Sequence, residues 1–140
     1  SQLFANIYLN ELDQFVKHQL KVRHYIRFAD DFVILSHEKQ FLCTLIPKLQ
    51  SFLIIKLKLT IHPQKLFIKT VASGVDFLGW VHFTDHKVLR TTTKNRMYRR
   101  VRANQSAETV SSYYGLVKHG NTTKIRKQLD KIVENNSRQY

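Results

Sequence analysis

Two short β-forming runs, HYIRF (24–28) and FVILS (32–36), are separated only by Ala29-Asp30-Asp31. Apolar runs flanking a two- or three-residue polar break read as a β-hairpin, and no other feature constrains the fold of this chain as much. The hairpin places two adjacent carboxylates at its tip. The second run is apolar throughout, as expected of a strand buried on both faces. Like charges this close repel by about 1 kcal/mol in bulk water, and by more where water is excluded. No glycine supplies the positive φ that favourable two-residue turns use. Two readings are open: a solvated turn, since Asp is a common turn residue, or a tip that holds a cation between its side chains.

The flanking segments supply a scaffold for that tip. Ser1 stands where an N-cap would, ahead of Leu3, Phe4, Ile7, Leu12, Phe15 and Val16, whose spacing predicts a helix to about Gln19. From Glu38 to about Ile55, Phe41, Leu42, Leu45, Ile46, Leu49, Phe52 and Leu53 predict a second amphipathic helix, kinked or broken at Pro47. Cys43, the only cysteine, excludes an intrachain disulfide, and its apolar neighbours predict a buried, inert thiol. KLFIKTV (65–71) reads as a strand, and VDFLGWVHF (75–83) with KVLRT (87–91) as a hairpin turning at Asp85-His86. The order α-β-β-α-β-β-β is an α+β arrangement, helices layered on an antiparallel sheet.

Beyond about Thr91 the strands stop. KNRMYRRVRAN, AETVSSYYGLVKHG and TTKIRKQLDKIVENN read as three helices, with Gly120 stopping the second and Thr122 or Thr123 capping the third. The composition shift sets an expected boundary between 1–90 and 91–140. The abrupt helical opening without Met predicts a fragment of a longer protein.

Charge narrows the partner. The chain carries 23 Lys and Arg against 10 Asp and Glu, a net charge of +13. Residues 86–140 hold 13 basic and 3 acidic residues, while 1–85 hold 10 and 7. Such an excess points to a polyanion, nucleic acid first. No run approaches the 18 apolar residues of a spanning helix and no signal-peptide pattern is present, so no membrane partner and a cytoplasmic location are expected. Lys94, Arg96, Arg99, Arg100 and Arg102 put five cations in nine residues without an acid, with Arg96, Arg99 and Arg100 on one helical face. They read as phosphate contacts or as a solvated face. Beside such a partner, paired carboxylates suit Mg²⁺, a hard ion that takes oxygen ligands and substrate phosphates. The seven histidines show no zinc-ligand spacing, and neither a P-loop nor a hydrolase-like Ser/His/Asp spacing occurs.

Phe28-Ala29-Asp30-Asp31 resembles the Tyr/Phe-Ala-Asp-Asp box of reverse transcriptases. Ser1-Gln2 followed by LFANIYLNELD is similar to the helix after their dNTP-binding turn. LTIHPQK (59–65) resembles the loop whose lysine approaches the incoming nucleotide, and Phe77-Leu78-Gly79-Trp80 resembles the primer grip. SSYYGLVKHGNTTKIRKQL is similar to the thumb helices of bacterial members, so the resemblance runs in family order over essentially the whole chain.

That resemblance implies a partial palm over 1–90 and a small helical thumb over 91–140. It implies an RNA-directed DNA polymerase that adds dNTPs to a primer 3′-OH on an RNA template. Asp30 and Asp31 become catalytic metal ligands for two Mg²⁺ ions, with Mn²⁺ able to substitute, Asp30 being the main ligand. Lys65 is placed at the departing pyrophosphate, and Ser1, Gln2, Phe28 and Ala29 at the nucleotide. Phe77, Leu78, Gly79 and Trp80 are placed at the primer, and Lys94, Arg96, Arg99, Arg100, Arg102 and Lys118 on the nucleic-acid backbone.

Read from the residues alone, Lys65 is a solvated lysine, Gly79 marks a bulge or a close approach, and Trp80 is core packing rather than base stacking. The family's third aspartate lies on an earlier strand, so the resemblance implies an incomplete site and an inactive isolated chain. Asp13, on the first helix, and Asp76, at the start of the grip strand, are poor substitutes for it. The competing readings are a non-catalytic basic RNA- or DNA-binding module, an abortive-infection type enzyme, and an intron maturase-type RNA-binding protein. Ser-Gln at positions 1 and 2 is similar to enzymes of diversity-generating retroelements, where many group II intron-like enzymes carry Ser-Pro. A bacterial or phage source follows, with a retroelement accessory protein or intron RNA as further partner.

Overall fold

In the computed structural model, which describes residues 2–137, α1 (Gln2–Gln14) runs into a π-helical segment at Phe15–Gln19. Then come β1 (His24–Phe28), β2 (Asp31–Leu35) and α2 (Lys39–Leu57). These elements belong to the first of two compact units, residues 1–69. Its core is a leucine stripe on α2, Leu45, Leu49, Leu53 and Leu57, packed with Leu9, Leu12, Val16 and Val22. The four leucines recur at i, i+4, which keeps them on one helix face. Phe15 stacks on Phe52 with ring centroids 4.1 Å apart, and the Tyr8 hydroxyl donates to the Leu57 carbonyl at 2.6 Å.

Four points of the sequence reading are sharpened or changed here. Leu3, Phe4 and Ile7 are 68%, 74% and 62% exposed, because the inward stripe of α1 begins only at Leu9. Pro47 does not break α2, which runs on to Leu57 with buried Leu45 and Leu49 on either side of it. Cys43 is exposed rather than buried, as two residues on a helix turn it about 200° from Leu45. By length and composition α2 is also able to cross a membrane, with 19 residues and a mean hydropathy of 1.3, where the sequence reading found no such run.

β1 and β2 pair antiparallel, with Tyr25 opposite Ile34 and Arg27 opposite Phe32. Strand alternation turns Tyr25, Phe32 and Ile34 onto the helical core. The other face carries Ile26, Phe28 and Leu35, each about half exposed. The apolar second strand is thus covered on one face only, because both helices that contribute to this core lie on the same side of a two-stranded sheet.

KLFIKTV is not a strand. Short 3₁₀ turns at Pro63–Lys65 and Val71–Ser73 close its two ends, and the residues between them join no ladder. The second unit, residues 70–140, instead splits VDFLGWVHF into β3 (Val75–Phe77) and β4 (Trp80–His82), which pair with β5 (Lys87–Leu89). The β4–β5 turn spans Asp85-His86, as the sequence predicts. α3 (Thr91–Ala103), α4 (Ala107–Val117) and α5 (Thr123–Ser137) follow. Leu89, Met97, Val101, Val117, Leu129 and Ile132 form the core, with Trp80 packed against it.

Gly120 seals sheet to helices in this unit. Its φ is +75°, and a Cβ there would stand 2.7 Å from Trp80 Cζ3 and 2.9 Å from the Lys87 carbonyl. The composition shift at Thr91 coincides with the start of α3, yet the compact units divide between Lys69 and Thr70. The three-stranded sheet shares a core with the helices because Trp80 and Leu89 point into it. The fold is α+β, with five α-helices and two separate small antiparallel sheets among the described residues.

Candidate functional site

Phe28 pairs with Asp31, so the turn proper is Ala29-Asp30 and Asp31 is the first residue of β2. Ala29 has φ +52°, while Asp30 is not in the positive-φ region. Positive φ at the first turn position alone is the pattern of a type II′ turn, where glycine usually stands. An alanine there costs about 1 kcal/mol.

Arg27 braces this turn. Its Nη1 donates to the Ala29 carbonyl at 2.7 Å and to Asn6 Oδ1 at 3.2 Å. Its Nε and Nη2 donate to the two oxygens of Asp13 at 2.8 and 2.6 Å, a bidentate pair. The Tyr25 hydroxyl donates to the same carboxylate at 2.6 Å. The Arg27 side chain is only 9% exposed and that of Asp13 28%. The Arg27 bonds, helped by Tyr25, hold the Asp13 carboxyl below the usual carboxylate range against the opposing effect of burial. Burial, then the bond to Asp13, pushes the Tyr25 phenol up.

Asp30 and Asp31 are both exposed, and neither carboxylate has a hydrogen-bond or ion-pair partner among the described residues. The two acids set aside on sequence grounds are engaged elsewhere: Asp13 with Arg27, and Asp76 with Arg90 Nε at 2.7 Å. Two adjacent carboxylates free of protein cations fit Mg²⁺, which usually takes one or two of them and completes its shell with water and phosphate oxygens. Among the described residues no third His, Cys, Asp or Glu joins them in a metal-binding group.

The other predicted residues are spread over both units. Gln2 opens α1 and is exposed, while Ser1 lies outside the described residues. Phe28 is 52% exposed opposite Asp31. Lys65 ends the first 3₁₀ turn, exposed, in the same unit as the Asp30–Asp31 tip.

In the second unit Phe77 and Trp80 flank a two-residue turn, Leu78-Gly79, with φ of +53° and +81°. Positive φ at both positions is a type I′ turn, so Gly79 is a turn residue rather than a bulge. Its carbonyl accepts from Arg90 N at 2.9 Å. Leu78 is 46% exposed. Trp80 packs into the core, with the Lys87 ammonium 5.0 Å from its ring centroid.

Arg96, Arg99, Arg100, Arg102 and Lys118 are exposed and Lys94 is half-buried. The inward positions of α3 are Met97 and Val101. Arg96, Arg99 and Arg100 enter no ion pair among the described residues. Arg100 also lines a polar cleft of about 420 Å³ with Asn104, Glu108, Thr109, Ser112 and Tyr113.

The sequence reading missed Arg27 and Asn6. A signal for Arg27 was present: strand alternation puts it on the inward face with Tyr25, and an inward charge needs a partner. Asp13, beside the buried Leu12, was the acid within reach.

Residues 1–82 match the family profile described as reverse transcriptase (RNA-dependent DNA polymerase). The match takes in the Asp30–Asp31 hairpin, β3 and β4, while the basic helices of 83–140 fall outside it. Among curated proteins none matches. The matched span covers more than half of the 140 residues, and the chain belongs to the reverse transcriptase family.

Proposed function

We propose that this chain forms part of an RNA-directed DNA polymerase that adds dNTPs to the 3′-OH of a DNA primer on an RNA template. One observation carries the reading: Asp30 and Asp31 stand exposed and unpartnered on a braced turn in a chain of this family. The two carboxylates hold divalent metal, Mg²⁺ or Mn²⁺, with Asp30 the main ligand. Bound there, the metal supplies Lewis acidity toward the attacking hydroxyl and the leaving pyrophosphate.

The chain's own residues bind and orient. Lys65 places a positive charge at the pyrophosphate. Phe28, beside Asp31, offers apolar surface to the nucleotide, with Ser1, Gln2 and Ala29 around it. The Leu78-Gly79 turn, between Phe77 and Trp80, presents the primer grip, and Lys94, Arg96, Arg99, Arg100, Arg102 and Lys118 meet nucleic-acid phosphates. In this reading 1–90 is palm and 91–140 thumb. The subfamily, group II intron-like or diversity-generating retroelement, rests on Ser1-Gln2 alone.

Primer extension on an RNA template by the full-length protein tests this. Asp30→Asn should reduce extension to background while leaving primer–template binding intact. Extension that survives Asp30→Asn overturns the reading. The isolated chain, lacking a third carboxylate in the metal group among its described residues, should not extend primers. A full-length protein that binds primer–template but never extends it would instead fit a binding module, the reading favoured by the unpaired Arg96, Arg99 and Arg100.

A further inference from the structure

We propose that Arg27 is a positioning residue that aims the Asp30–Asp31 tip, by tying the carbonyl of the left-handed Ala29 to Asn6 and Asp13 of α1. The inference rests on the metal-binding role of Asp30 and Asp31 proposed above. The Arg27 guanidinium uses all three nitrogens: Nε and Nη2 on Asp13, and Nη1 shared by the Ala29 carbonyl and Asn6. The Ala29 carbonyl belongs to the planar peptide that leads into Asp30. Pinning that oxygen 2.7 Å from Nη1 fixes the plane, and with it the direction in which the Asp30 side chain leaves the turn.

Arg27 is nearly buried, so it acts through the turn and not by touching substrate. The left-handed conformation of Ala29 makes this brace necessary. A glycine would adopt positive φ unaided; an alanine released from Arg27 is free to rotate its peptide back.

The test uses the full-length protein with Arg27→Gln, in the native background and with Ala29→Gly. Mn²⁺ affinity is read from the electron paramagnetic resonance signal of free Mn²⁺, and stability from urea unfolding. Arg27→Gln should weaken Mn²⁺ binding about tenfold in the native background, the scale of one lost charge-assisted bond. In the Ala29→Gly background the same change should weaken it less than about threefold, while the stability loss stays equal in both. Equal weakening in the two backgrounds, or unchanged Mn²⁺ affinity beside lost stability, would make Arg27 merely structural and overturn the proposal.

Should Arg27→Gln fail to fold, Arg27→Lys keeps the charge beside Asp13 but lacks the fork that reaches two acceptors at once. The same pattern is expected of it, and the same results overturn. If Asp30→Asn leaves Mn²⁺ binding untouched, it is the metal reading that fails. Positioning is then decided by hydrogen exchange at the Asp30 amide: faster with Arg27→Gln only in the native background supports it, and no change refutes it.

Discussion

Ala29 at φ +52° opens the turn of one hairpin, and Leu78 at φ +53° opens the turn of another, so each puts a non-glycine residue in the left-handed region. The second turn continues through Gly79, at φ +81°, and its brace is a backbone bond from Arg90 N to the Gly79 carbonyl. The Arg90 side chain sits on Asp76, both partners more than a third exposed, at 40% and 35%. The first turn has no glycine, and its brace is the Arg27 side chain, 9% exposed and anchored on α1. One turn is held by a backbone bond from the end of the neighbouring strand, the other by a side chain anchored on a helix. The Asp30–Asp31 tip therefore keeps its shape only while α1 is packed against the hairpin.

The largest expected effect separates the two arginines. Arg27→Met should cost about 3 kcal/mol in urea unfolding, because it strips Asp13 of its cation in a mostly buried pair. Arg90→Met should stay within about 1 kcal/mol, as a solvent-screened pair does. Equal losses would erase the contrast.

Next come the turns themselves, where matched substitutions should move stability in opposite directions. Ala29→Gly should gain up to about 1 kcal/mol by relieving the left-handed alanine. Gly79→Ala should lose about 1 kcal/mol, since it creates the strain the first turn already carries and sets a Cβ 3.2 Å from Thr93 Oγ1. Thermal unfolding of the two variants reads both signs. A loss from Ala29→Gly would show that the first turn is not strained as its φ implies.

The smallest effect lies in pH. Asp13 is held below its ordinary value of 3.8, so its bonds contribute stability above that pH and lose it as pH falls through the lower folded value. The second unit carries its counterpart at the alkaline end. There Tyr114 donates to Asp130, and this bond, with burial, pushes the phenol up to about 12 from 10.0. That contribution is complete below pH 10 and fades as pH rises toward 12. Stability profiles of Asp13→Asn and Tyr114→Phe should lose the acid limb and the alkaline limb respectively. An Asp13→Asn profile that keeps its acid limb would locate that limb elsewhere.

Much of this was legible in the residues. The break at Ala29-Asp30-Asp31 located the hairpin, the i, i+4 leucines located the face of α2, and Asp85-His86 located the β4–β5 turn. Periodicity reports which residues share a face but not how much of that face a neighbour covers. Leu3, Phe4 and Ile7 therefore share the helical period of Leu12 and Val16 yet lie exposed, and β2 read as covered on both faces and is covered on one. KLFIKTV has strand composition but no partner ladder, a fact no local propensity contains. At the site, adjacent carboxylates announced themselves. Arg27 did not, because its bond to Asp13 spans 14 residues and exists only once α1 lies against β1.

Between Asp13 and the strand that carries Arg27 the chain passes through the π-helical segment Phe15–Gln19. There the Leu20 N–H reaches back five residues to the Phe15 carbonyl at 2.9 Å, and Val22 N–H reaches the Val16 carbonyl at 3.1 Å. Each such ring takes in more chain than an α turn, and single π turns of this kind often lie near functional sites. Lys17, His18 and Gln19 face solvent, so their identities are free to drift. Their number is not. Removing one would rotate the chain that follows by about 100° and carry Arg27 off Asp13. This segment tolerates respelling but not shortening, because its length is what brings Arg27 into register with Asp13.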